Sequence, residues 1–162
     1  MITTLAEILP HATRKHADRT ALIVENRSFS FHELDGLSNR IANGLAAGGV
    51  GPGDRVTLFG PNCWEWLVSY YGIVKTGAVV NPINAMLTPE EVRYAVTDSG
   101  ARAVIATADR GAALIDMAGA GNLSKVVLWG DAAFVTTVAT TSSGKIMRRM
   151  LKDIHDGSLT LN

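Results

Sequence analysis

The stretch from Asp54 to Ile105 decides the fold: DRVTLFG (54–60), PNCWEWLVSYYGIVKTG (61–77), AVVNPIN (78–84), LTPEEVRYAVTDSG (87–100) and ARAVI (101–105). Short apolar runs alternate with longer ones of helical period, giving strand, helix, strand, helix, strand. Parallel neighbours need crossovers of a dozen or more residues, and a helix is the usual one. The expected fold class is therefore α/β, a parallel sheet flanked by helices.

Working outward, GGVGPGD (48–54) precedes a strand, and so does GAGNLS (119–124), which leads into the expected strand Lys125–Trp129. Both run opposite to the strand-to-helix order in which a helix N-terminus meets a phosphate, so both read as connectors. Ala21–Val24 and Arg27–Phe31 flank Glu25-Asn26 as a hairpin. Four pairs have capping-box spacing: Thr4 with Glu7, Ser30 with Glu33, Asn62 with Glu65, and Thr88 with Glu91. In such a box each side chain satisfies a free backbone N–H at a helix start. The first helix is expected over Leu5–Lys15, with Pro10 uncomfortable in its middle. The next carries Phe31, Leu34, Ile41 and Leu45 on one face. The third carries Trp66, Tyr70, Ile73 and Val74 and stops at Gly77, and the fourth stops at Gly100, where left-handed caps belong.

Composition narrows the function. The 162 residues hold 15 basic and 15 acidic side chains, so zero net charge gives no general attraction to nucleic acid or acidic membranes. Cys63 is the one cysteine, which excludes an internal disulfide framework and a multi-thiolate metal site. The apolar region Trp64–Ile83 is broken by Glu65, Lys75 and Pro82 and falls short of a spanning helix, and the N-terminus lacks the pattern of a secretory signal. A soluble, cytoplasmic protein is expected. His11 and His16 are five residues apart and diverge on a helix, while His32 and His155 lack ligand-spaced neighbours, so no metal site is expected. Gly144-Lys145 is not a Walker loop, because Ala139 and Ile146 stand where its first glycine and its Ser or Thr must be.

SFHEL (30–34), GDRV (53–56), Pro61-Asn62, KTGAVVNPIN (75–84), LTPEEV (87–92) and DSGARAV (98–104) occur in the order seen in AMP-forming acyl-CoA synthetases. The chain resembles the N-terminal subdomain of that family. FVTTVATTSSGKIMRRMLKDI (134–154) is similar to the same family's C-terminal signature, a strand leading through a Thr/Ser-Gly-Lys turn into a basic helix. Val138-Ala139 departs from the usual Leu-Pro.

The resemblance implies a ligase that joins a carboxylic acid to ATP as an acyl-adenylate and then to coenzyme A, with magnesium. It makes Lys145 the catalytic lysine that follows charge developing on the phosphate, with Gly144 allowing close backbone approach to substrate. It also exposes a gap. The family's pyrophosphate loop, its adenine and ribose contacts, its acyl pocket and its magnesium-binding glutamate would belong between Trp129 and Phe134, where only Gly130–Ala133 stand. The expected organisation is a truncated N-terminal subdomain over 1–129, a junction over 130–133 and a C-terminal remnant over 134–162. Such a chain is expected to be inactive alone, to bind none of ATP, magnesium or coenzyme A tightly, and to self-associate through apolar surface left uncovered. The alternative is a non-catalytic α/β remnant acting as a protein-interaction module. Residues 145–156 alternate apolar and basic side chains; on composition they suit a membrane-surface or partner-binding helix, and the expected reading is a helix laid on its own domain with its charges solvated.

Overall fold

A computed structural model describes the backbone of residues 2–119, 121–130 and 133–139, and the side chains of these apart from 112, 113, 130 and 133–139. The chain opens with a 3-10 turn, Leu5–Glu7, that runs into α1 (Ile8–His16). Pro10 is then the third residue of α1, inside the first turn, where a missing N–H costs nothing. The Thr4–Glu7 capping box does not form: Thr4 makes no capping bond, and Glu7 Oε2 accepts from the Thr3 N–H at 2.9 Å instead. The 3-10 entry displaces the α-helix start by a turn, which takes Glu7 out of box position.

β1 (Thr20–Val24) and β2 (Arg27–Ser30) form the expected hairpin, with Glu25 at φ 53°, the left-handed conformation at the first residue of its tight turn. Phe29 is buried against Trp64 at 5.0 Å between centroids, and the Arg27 guanidinium lies 4.3 Å from the first ring and 4.8 Å from the second.

α2 (Phe31–Ala47) starts with a complete capping box: the Ser30 N–H donates to Glu33 Oε2 at 2.8 Å and the Glu33 N–H to Ser30 Oγ at 3.1 Å. The box at Thr88 and Glu91 starts α4 (Pro89–Asp98) in the same way, at 2.8 and 3.3 Å. Each such cap contributes about 1 kcal/mol. Bonds from Ser30 and Thr88 hold the carboxyls of Glu33 and Glu91 below the usual range. The box expected at Asn62 and Glu65 is absent: α3 (Trp64–Lys75) begins one residue late for it, with Cys63 as N-cap and no side-chain cap bond. Gly77 and Gly100 close α3 and α4 at φ 80° and 61°.

β3 (Arg55–Phe59), β4 (Val79–Ile83), β5 (Ala103–Thr107) and β6 (Lys125–Gly130) are parallel in the order β4-β3-β5-β6. α5 (Ala108–Gly111) and a 3-10 segment (Ala112–Met117) make the crossover from β5 to β6. The strand expected from Phe134 joins this sheet: β7 (Ala133–Ala139) returns antiparallel beside β6, pairing Trp129 with Phe134 and Lys125 with Ala139.

Side chains alternate across the sheet and divide the core. Val56, Leu58, Ala103, Ile105, Val127 and Trp129 pack with α1, α2 and α3 on one face. Phe59, Val104, Ala106, Val126 and Leu128 pack with α4 and the 3-10 segment on the other. The buried side of α3 is Val68, Ser69, Gly72 and Ile73, so Trp66 and Tyr70 of the expected stripe are only half-buried, stacked on each other at 5.8 Å. Gly72 marks the closest approach of α2 and α3, where a Cβ would stand 2.5 Å from Ile41 Cγ2 and 3.1 Å from the Ser38 carbonyl. One turn on, Lys75 Nζ donates to Asp35 Oδ1 at 2.6 Å, Ser38 Oγ at 2.7 Å and Asn39 Oδ1 at 2.8 Å, all on α2.

At the β4 edge the Val79 N–H donates to the Asp54 carbonyl at 2.8 Å. Amides alternate sides along a strand, so Asn81 and Ile83 also face β3, while Val80 and Pro82 face outward.

Candidate functional site

In open α/β sheets a crevice opens beyond the carboxyl ends of neighbouring strands whose connections leave to opposite faces. β3 and β5 are such a pair, since β3 leads into α3 on one face and β5 into α5 and the 3-10 segment on the other. Between them lies a crevice of about 420 Å³ lined by Pro61, Cys63, Glu65, Thr107, Ala108, Asp109 and Trp129. That volume is within the range of small-molecule sites, about 300–1,000 Å³. Three segments far apart in sequence supply it.

Its chemistry is acidic. Glu65 and Asp109 bring carboxylates, and among the described lining residues there is no lysine or arginine. The Thr107 hydroxyl beside Asp109 holds that carboxyl below its usual range. The approach misses ordinary hydrogen-bond geometry, so Thr107 Oγ1 is buried without a conventional partner. Burial pushes the Cys63 thiol up, and the Glu65 carboxylate beside it pushes the same way. A protonated thiol is a poor nucleophile and a poor metal ligand. The cation next in sequence, Arg110, is turned away: Nη1 donates to the Ala85 carbonyl and the guanidinium lies 5.7 Å from the centre of the Phe59 ring. It faces a second cavity of about 220 Å³ lined by Phe59, Leu87, Pro89, Val92 and Leu114 with Asp109.

These residues do not fit a triphosphate. Phosphates are held by N–H groups, lysine and arginine, and the two carboxylates of this open crevice repel them. Nor, among the described residues, do three His, Cys, Asp or Glu side chains converge on one point. The expected site residues Gly144 and Lys145 lie outside the described residues, as do His155 and the helix expected over 145–156. His16 packs on Phe31 at 5.6 Å between rings. The sequence reading did not assemble the crevice; the signal available to it was the order of strands, from which the ends of β3 and β5 follow.

Comparison with known proteins agrees with the fold. A long-chain-fatty-acid–CoA ligase of Salmonella typhimurium is 35% identical over 103 residues, covering 63% of this chain and 18% of that protein. A feruloyl-CoA synthase of an Amycolatopsis species is 38% identical over 121 residues, covering 75% of this chain and 23% of its own length. The crystal structure of the anthranilate CoA ligase AuaEII, in complex with anthranoyl-AMP, superposes with a TM-score of 0.73 at 30% identity over 79% of this chain and 25% of that one. The N-terminal domain of FACL13 from Mycobacterium tuberculosis superposes at 0.68 and 30% identity, over 77% of this chain and 33% of that domain. The chain thus spans less than a quarter of the length of these curated relatives. The model of the AMP-binding enzyme family matches residues 9–152. With an N-terminal ligase fold over its described part and that match across most of its length, the chain belongs to the AMP-binding enzyme family, among the AMP-forming acyl-CoA ligases.

Proposed function

We propose that the chain is a shortened ATP-dependent acyl-CoA ligase that does not by itself activate carboxylic acids. The observation that carries this reading is the pairing of β6 with β7. Trp129 pairs with Phe134 and Gly130 with Ala133, so the two ends of the family pattern meet within one hairpin, where the nucleotide-holding portion of a ligase would have to be inserted. The junction at 130–133, between an N-terminal part over 1–129 and a remnant over 134–162, belongs to this proposal. So does the role of Lys145, a catalytic lysine by family with Gly144 beside it, here without a nucleotide to act on. A single ammonium group adds on the order of a hundredfold to a thousandfold where a substrate is already held, and nothing where none is. ATP, magnesium, coenzyme A and a fatty or aryl acid are the ligands of the parent activity. Cytoplasmic residence goes with it.

Pyrophosphate exchange, run with a panel of fatty and aryl acids, should show no incorporation above a protein-free blank. Titration with ATP and magnesium should give no saturable heat. Exchange above the blank with any acid would overturn the proposal.

A second reading, a non-catalytic interaction module, draws on exposed apolar side chains: Met86 is 88% exposed, Tyr94 72% and Ile23 69%. Apolar surface drives association where such side chains form a contiguous patch. Light scattering should show dimers or larger species at micromolar concentration, and a lone monomer would refute this.

A further inference from the structure

Three large aliphatic side chains at the first helical segment stay in solvent among the described residues: Ile2 is 43% exposed, Leu5 53% and Ile8 36%. Leu5 and Ile8 are three residues apart across the 3-10 turn, where such residues lie in line, and Ile2 precedes Leu5 by the same interval. Lys15, two turns beyond Ile8, returns to the same side of α1, with His11 between them and Arg14 on the flank. The side turned to the protein is a different one: Leu9 is in the core, and Thr13 Oγ1 donates to the Phe31 carbonyl at 3.1 Å. We propose that this ridge docks α1 flat on a lipid bilayer with anionic headgroups, with Ile2, Leu5 and Ile8 entering its apolar boundary and Arg14 and Lys15 meeting the headgroups.

Charge names the occupant. Residues 8–16 hold Arg14 and Lys15 and no acidic side chain; Glu7, the one carboxylate of 2–16, is engaged by Thr3, and Asp18 beyond is followed by Arg19. Among the described residues neither Arg14 nor Lys15 is in an ion pair. Their field reaches His11, whose imidazole is held below its usual range by burial and by the charges of Lys15 and Arg14. Zero net charge over the chain removes a global attraction, but a surface within a Debye length, about 10 Å at 0.1 M salt, responds to the local cations. An aliphatic ridge bordered by cations offers no hollow for a partner's side chain and suits a layer into which it can sink. The helix is already folded and held by Leu9 and Thr13, so docking avoids the ordering cost that an isolated helix of this length bears.

The test is flotation of the full chain with lipid vesicles. Binding to phosphatidylcholine containing about 30 mol% phosphatidylglycerol should exceed binding to phosphatidylcholine alone by about tenfold or more, and about 0.5 M salt should remove the excess. Arg14→Gln/Lys15→Gln should lower the partition coefficient about twentyfold, since each basic residue at such a surface contributes about a factor of five. Leu5→Ser/Ile8→Ser should lower it about tenfold, while Met86→Ser/Tyr94→Ser, at exposed positions elsewhere, should leave it unchanged. Each variant must melt at the wild-type temperature; if the Leu5/Ile8 pair does not, Leu5→Ser alone is scored by the same criterion. The proposal is overturned if the wild type does not partition at about millimolar lipid, if the ridge variants partition as it does, or if the Met86/Tyr94 variant is the one that loses binding. Retention on immobilised polyglutamate without flotation would also overturn it, because the partner would then be an acidic protein.

Discussion

Replacing Lys75 by methionine should cost about 3 kcal/mol of folding stability, read from a urea or guanidinium titration. The lysine stem crosses between α3 and α2, and its side chain is 9% exposed and that of Asp35 19%. The ammonium satisfies the Asp35 carboxylate, Ser38 Oγ and Asn39 Oδ1 together. Removing it leaves a carboxylate largely out of water with no counter-charge, and the cost is mainly that of the stranded partner rather than of the lost bonds. The double variant Asp35→Leu/Lys75→Met should therefore recover most of the loss, because an apolar pair of similar volume is often as stable as a buried ion pair. A single-variant loss under about 0.5 kcal/mol, the size of an exposed pair, would show that water reaches the site and that the argument from burial is wrong.

The other large effect is expected at Gly72. Leucine there should lower stability by about 3 kcal/mol or more, because α2 and α3 meet with no room for a side chain. For a chain of this size that is a drop of roughly 10 °C in melting temperature. Even the methyl of Gly72→Ala would press on Ile41 Cγ2 at 2.5 Å and on the Ser38 carbonyl at 3.1 Å, and backbone cannot step aside as a side chain can. Alanine gains about 1 kcal/mol over glycine in a helix, so Gly72→Ala should be milder, a net loss of about 1 kcal/mol. The informative comparison is made in an Ile41→Ala background. With the opposing side chain shortened, Gly72→Ala should become neutral or stabilising, a coupling of about 1 kcal/mol or more between the two positions. If the two substitutions simply add, the helices do not cross where Gly72 places them.

What the sequence disclosed follows from the range of each interaction. The boxes at Ser30 and Thr88 are local, each closed by residues three apart, and both form. Those at Thr4 and Asn62 have the same spacing and fail, because the conformation of the helix entry decides whether spacing becomes geometry. At one a 3-10 turn intervenes, and at the other the helix starts after Cys63. The parallel sheet was legible because crossover length constrains topology. The buried face of α3 was not, because that helix is apolar on nearly every side and its pattern does not single out Val68, Ser69, Gly72 and Ile73. The crevice was out of reach for a different reason: Pro61, Thr107 and Trp129 become neighbours only when three strands line up. The short helix and 3-10 segment after β5 leave little periodic signal in ten residues.

Pro82 gives the β4 border a polarity of its own. With Asn81 and Ile83 turned inward and a proline ring at the fourth position, Val80 alone can offer a proton outward along the strand. A stranger's strand laid there would find acceptors but a single donor, so ribbon-like templating is weakened on this flank. Clustering of copies through this flank must then be cemented by side chains rather than by a continued ribbon of backbone bonds.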